Sequence, residues 1–243
     1  MGSKKRSMSR RTGRKGPKKS YRSSSKRVPV GMRSFNGAGS SYEKKFWDTP
    51  VLLHSNATVG EFVPTLTGIQ QNTNPFGRIG RKITVTNVNG HFKLTSGTSA
   101  TTAAAGQYRI ILGIDKQANG AAPLITDILS DLSAVPPPGT GPALSPNSFR
   151  NMFNVERFVI LKDKLITLNR QAQSTTAGES YEGSRILKLS WKGAVPVLFN
   201  SDGYTVSDIT SNNFFMCMLA NSTGGGGADE ELRGIVRVKY TDL

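Results

Sequence analysis

The amino-acid sequence predicts an all-β fold, a sandwich or barrel of about eight strands, following a long basic N-terminal segment. Three observations predict it. Apolar residues recur with period two, the apolar runs are rich in β-branched and aromatic residues, and Gly, Asn and Pro punctuate the runs at short intervals. The first run is KFWDTPVLL at 45–53. EFVPTLTGI at 61–69 is weaker, because Pro64 cannot donate to a ladder and restricts the segment to an edge or a bulge. RKITVTNVNGHFKLT at 81–95 places Ile83 and Val85, then Phe92 and Leu94, at alternate positions. QYRIILGID at 107–115 is almost continuously apolar, as a buried strand should be, and VERFVILKDKLITL at 155–168 is a long strand candidate. SRILKLSWKGAVPVLF at 184–199 sets Ile186, Lys188 and Ser190 against Leu187, Leu189 and Trp191. A short GYTV at 203–206, NFFMCMLA at 213–220 and LRGIVRVKY at 232–240 complete the set; in the last, Val236 and Val238 share one face and Ile235, Arg237 and Lys239 the other.

Asn89-Gly90 leaves two readings open. The pair is a strong hairpin signal between 83–88 and 91–95, and it is also compatible with one long strand bulged at the glycine. One helical stretch is expected, Leu124 to Leu132, where Leu124, Ile128, Leu129 and Leu132 have helical spacing. Three long connections, 116–154, 169–183 and 221–231, interrupt the strands. Loops of this length cost closure entropy and are commonly functional.

Charge divides the chain into two parts. The net charge is +16, yet residues 1–33 alone hold thirteen bases: Lys4, Lys5, Arg6, Arg10, Arg11, Arg14, Lys15, Lys18, Lys19, Arg22, Lys26, Arg27 and Arg33. The first acid is Glu43, and the remainder of the chain has 32 − 13 = 19 bases against 16 acids, a net of +3. Self-repelling charge with almost no apolar surface cannot offset the entropy of ordering a chain, so residues 1–44 are expected to be a disordered arm and linker, and 45–243 one β domain. Arginine and lysine at this density neutralise phosphates and release counterions, which predicts sequence-independent, salt-sensitive nucleic-acid binding. The same clusters suit nuclear import receptors. A mitochondrial transit peptide would need an apolar helical stripe that the arm lacks.

Other chemistry finds little support. His54 and His91 are far apart in sequence, and Cys217 sits in an apolar strand with nothing near it in sequence to activate its thiol. Gly77-Arg78-Ile79-Gly80 is too short for a phosphate loop and precedes a strand. Asp115, Asp127, Asp131 and Asp163 could surround a calcium ion, but turn capping and ion pairing are the simpler roles. Asn119-Gly120 reads as a surface turn. No catalytic residue, metal site or cofactor is expected, so an enzyme is disfavoured. A single cysteine excludes an intrachain disulfide and suits an intracellular life. No apolar segment of membrane-spanning length is present, and none follows the basic run as a secretory signal requires.

The order of the segments KFWDT (45–49), FGRIGRKITVTNVNGHFKL (76–94), YRIILGIDKQANG and TDIL (108–129), RFVILKDKLITL (157–168) and RVKYTDL (237–243) resembles the capsid proteins of small circular Rep-encoding single-stranded DNA viruses, the group around circoviruses and geminiviruses. The resemblance implies a single eight-stranded antiparallel jelly roll, with 45–56 as strand B, 79–95, 107–116, 155–169 and 184–199 as C, D, E and F, and 203–207, 212–221 and 231–241 as G, H and I. It favours one bulged strand at 79–95 over a hairpin. It also implies a homo-oligomeric icosahedral shell of about sixty copies, holding a single-stranded DNA genome, with the arm inside. The expected locations are then the virion and the host nucleus. Arg78, Arg81 and Lys82 would extend a basic inner surface or simply face solvent, and Asp229-Glu230-Glu231 is a candidate to pair with bases of a neighbouring subunit or likewise to face solvent. A cellular nucleic-acid-binding protein with a basic tail, of ribosomal or chromosomal type, is the alternative.

Overall fold

The computed structural model describes residues 43–54, 60–95, 106–130, 144–168, 183–221 and 231–242. All belong to one unit, Tyr42–Leu243. The predicted arm lies outside the described residues apart from Glu43 and Lys44, and Lys44 already opens a strand.

Among the described residues nine strands form: β1 (Lys44–His54), β2 (Glu61–Val63), β3 (Lys82–Thr95), β4 (Gly106–Asp115), β5 (Phe158–Leu168), β6 (Ser184–Phe199), β7 (Ile209–Ser211), β8 (Asn213–Ala220) and β9 (Glu231–Asp242). They pair antiparallel into two sheets, ordered β1-β9-β3-β6-β7 and β2-β8-β4-β5. Without the three-residue β7, this is the B-I-D-G and C-H-E-F order of a jelly roll. The fold class expected from the sequence is the one observed.

The strand lettering needs correction. β2, cut short before Pro64, is strand C, so 79–95 supplies D, 107–116 supplies E, 155–169 supplies F and 184–199 supplies G. Residues 203–207 are not a strand. They lead into a 3₁₀ turn at Val206–Asp208, where the Asp208 carboxylate accepts from the Thr205 N–H at 2.7 Å. The Ser201 and Thr205 hydroxyls donate to the same carboxylate, and together these hydrogen bonds hold the Asp208 pKa below the usual carboxylate value.

Asn89-Gly90 is no hairpin. β3 runs unbroken from Lys82 to Thr95, and its register irregularity falls between Val85 and Asn87, not at the glycine. Gly90 is needed because the Phe92 ring lies over it: a Cβ there would sit 2.3 Å from Phe92 Cε2; Gly234, which pairs with Phe92, is closed to a Cβ as well, 2.1 Å from the His91 carbonyl oxygen and 2.7 Å from Phe92 Cδ1. The glycines make room for an aromatic ring instead of making a turn.

Between the sheets, Ile83, Val85, Phe92, Tyr108, Ile110, Leu112, Leu187, Val197, Phe214, Met216, Val236 and Val238 are among the buried core. Trp191 of β6 meets Phe214 of β8 across it at 5.4 Å. A second apolar layer covers the outer face of the four-stranded sheet. Ile111, Phe215, Cys217 and Leu219 point into it, and Ile125, Ile128, Leu129 and Leu144 from the β4–β5 connection cap it. The helix expected over 124–132 contracts to α1 (Ile125–Ile128), which delivers Ile125 and Ile128 to this layer.

Candidate nucleic-acid and assembly surfaces

The thirteen arm bases lie outside the described residues. Of the three bases predicted for an inner surface, Arg81 and Lys82 are exposed, but Arg78 is wholly buried and is withdrawn from that surface. Its guanidinium donates to the carbonyls of Ile69 (2.8 Å), Gly80 (2.7 Å) and Ser201 and stacks 4.0 Å over Phe199. Burial pushes its pKa down, while Asp202, Asp242 and Asp208 act to hold it up. A charge that must be enclosed can be satisfied by backbone carbonyls, and here they make Arg78 a clasp for residues 69–81. Lys45, also buried, adds to the clasp by donating to the Gly77 carbonyl at 3.0 Å and pairing with Asp242 at 3.3 Å.

Three of the acids considered for a metal, Asp115, Asp127 and Asp163, have structural partners. Asp115 holds Arg157 through two hydrogen bonds of 2.9 and 2.7 Å, and these raise the Arg157 pKa. Asp163 likewise grips Arg109. Asp127 accepts from the Leu124 N–H at 2.9 Å, and Asp131 lies outside the described residues. These acids do not converge, and no cluster of three metal-ligating side chains occurs among the described residues. His54 and His91 lie on β1 and β3, with β9 between them. Cys217 is buried in the second apolar layer, and desolvation pushes its thiol pKa far up. Gly120, at φ 81°, makes the turn expected of Asn119-Gly120. Glu231 opens β9, and Asp229 and Glu230 lie outside the described residues.

Two surfaces stand out. The first is the outer face of the five-stranded sheet. Pairing register aligns its outward residues in rows: Phe46, Lys239, Asn87 and Lys192; Asp48, Arg237, Asn89 and Ser190; Pro50, Ile235, His91 and Lys188; Leu52, Arg233, Lys93 and Ile186. With Lys44, Lys82 and Glu231 at the margins, this face carries eight bases against two acids, a net of +6. Asp48 is engaged with Arg237 through two hydrogen bonds of 2.7 Å, and that pairing lowers the Asp48 pKa. Arg237 also lies 4.5 Å over the Phe46 ring, which meets Phe76 edge-on at 5.1 Å beside a cleft of about 260 Å³. The alternation in β6 and β9 was visible in sequence. That their bases share a face with those of β1 and β3 needed the register.

The second is an apolar shoulder on the β4–β5 connection. Leu124, Phe149 and Met152 are largely exposed and Phe153 completely so. The segment is nonetheless well held: Asn151 and Asn154 donate to the carbonyls of Thr126 and Asp127 at 2.9 and 3.1 Å, and Ser130 N–H donates to Phe149 O at 2.7 Å.

No family model matches the chain, and no curated protein matches it. The cryo-EM structure of broad bean stain virus is similar over 87% of this chain and 89% of that chain, with 10% sequence identity and a TM-score of 0.29.

Proposed function

We propose that this chain is a viral capsid protein that self-assembles into a small icosahedral shell and packages a single-stranded DNA genome through its basic N-terminal arm, which also acts as a nuclear localisation signal. The observation that carries this reading is the segregation of charge: thirteen bases and no acid in residues 1–33, joined to a jelly-roll body whose sequence nets +3. Jelly rolls are a recurrent solution for closed shells. About sixty copies at +16 each would carry roughly 960 positive charges, matching a single strand on the order of a thousand nucleotides. The apolar shoulder supports self-assembly, because rigidly held Phe149, Met152 and Phe153 are surface that copies of the chain would bury against one another. Symmetric repetition then turns weak contacts into a stable shell. The protein has no catalytic role in this account. Its partners are the genome, other copies of itself and host import receptors, and its locations are the virion and the host nucleus. No helix among the described residues is long and apolar enough to cross a membrane.

A second reading, a cellular basic-tailed nucleic-acid-binding protein of ribosomal or chromosomal type, draws on the bases gathered on one sheet face. Electron microscopy of the purified protein with and without residues 1–40, before and after nuclease and high salt, separates the two. Uniform spheres that still form without the arm but lose their nucleic acid support the capsid reading. A monomer or dimer under every condition favours the second.

A further inference from the structure

We infer that the outer face of the five-stranded sheet is a second binding surface for single-stranded nucleic acid, acting beside the arm; this rests on the packaging reading and adds to it which face of the body meets the strand. Charge is the first argument. Among the described residues this one face nets +6, from eight bases and two acids, while the other ten bases and nine acids net only +1. The face is therefore the body's polyanion-attracting side, although bulk composition conceals it.

Pairing is the second argument. Among the described residues no carboxylate lies within ion-pair reach of Lys93, Lys188, Lys192 or Lys239, whereas Arg109, Arg157 and Arg237 each hold one. Lys93 stands directly opposite Arg233 in the β3–β9 register, and the one carboxylate beside them among the described residues is Glu231, at the long distance of 3.9 Å from Arg233. Like charges so placed repel, and an anion bound between them reverses the sign of the interaction. Successive rows are two residues apart, about 7 Å along the strands, a step that suits consecutive phosphates of an extended strand.

Apolar surface separates single-stranded nucleic acid from other polyanions. Phe46, Leu52, Ile186 and Ile235 are exposed on the same face, interleaved with the bases. A sulfated polysaccharide offers sulfates and hydroxyls. An unpaired strand offers phosphates together with base faces that pack on apolar and aromatic side chains.

The test uses the full chain. Lysine acetylation is mapped by mass spectrometry with and without a short oligodeoxythymidylate, with exposed Lys116 as the internal control. In parallel, the salt dependence of oligonucleotide and heparin binding is measured for the wild type and for K93Q/K188Q/K192Q/K239Q. These lysines are solvent-exposed, so an unchanged melting temperature verifies that the variant folds. The expected result is protection of the four sheet lysines together with the arm lysines, and a fall of about 3 in the slope of log affinity against log salt, at about 0.7 per phosphate contact. Protection confined to the arm overturns the inference and leaves arm packaging standing. So does an unchanged slope, which would mean that assembly, not contact, hid the lysines. A variant that loses heparin but retains the oligonucleotide overturns it by assigning the face to a polysaccharide. Protection at neither the arm nor the sheet overturns both readings.

Discussion

β8 and β9 are both interior strands of their sheets, yet β8 buries every side chain while β9 buries every second one. β8 reads NFFMCMLA, with Phe214, Met216 and Met218 in the core between the sheets and Phe215, Cys217 and Leu219 under the cover supplied by the β4–β5 connection. β9 reads LRGIVRVKY, with Val236 and Val238 inside and Arg233, Ile235, Arg237 and Lys239 uncovered. The contrast shows that an uninterrupted apolar run reports a sheet with both faces closed by its own chain. An alternating run reports a face left open for water or for another molecule. In this protein the open face is the cationic one.

The largest expected contrast is chemical accessibility. Cys217, at the centre of the covered face, should resist thiol reagents in the native protein and react fully in denaturant. Burial both blocks access and raises the thiol pKa, so almost no thiolate forms at neutral pH. Rapid labelling under native conditions would show that the cover over β8 opens readily and would break the comparison.

Stability should follow the same division. Phe215→Ala removes a ring packed edge-on against Phe158 at 6.0 Å, and is expected to cost about 3–5 kcal/mol in urea unfolding. Ile235→Ala on the open face should change stability by about 0.5 kcal/mol or less. Equal losses would mean that Ile235 is covered by something in the folded protein. Arg78→Met falls between them. It keeps most of the apolar stem but leaves buried carbonyls of Ile69 and Gly80 without their donor, for an expected loss of about 3 kcal/mol. A loss below about 1 kcal/mol would show that water replaces the guanidinium.

The sequence carried most of this architecture because period-two patterning is local. Val236 and Val238 against Arg237 and Lys239, or the continuous IIL of β4, announce their burial without knowledge of their neighbours. What it concealed depends on partners distant in the chain. Gly90 looked like a turn because the residues that pair with it on either side, Leu189 and Val236, come from far along the chain. Arg78 looked like a surface base because the carbonyls that satisfy it come from both near and far in sequence, Ser201 being 123 residues away. β2 lies at a sheet edge, as Pro64 predicts, but three residues before a proline carry almost no periodicity, so the segment is missing from the lettered strands. The cationic face was missed for a related reason. Counting charges along the body gives +3, and only the register of four strands shows that eight of the bases share one surface.

The smallest effect tests the open face on its own terms. Asp48 is held below its ordinary pKa chiefly by its hydrogen bonds with Arg237. A depressed carboxylate stabilises the fold above its unfolded value of about 3.9, and that contribution disappears as pH falls through the lower folded value. Asp48→Asn should therefore lower the melting temperature slightly at pH 7 and not at all in strong acid. The pair is exposed, so solvent screening limits the loss. Nucleic-acid binding should move the opposite way. Asp48 is one of only two acids on a face of eight bases, and its removal frees Arg237 for phosphate, so oligonucleotide affinity at low salt should rise. A decrease in both stability and affinity would mean that the ion pair organises the face for its ligand instead of competing with it, and would put Asp48 among the residues that shape the binding surface.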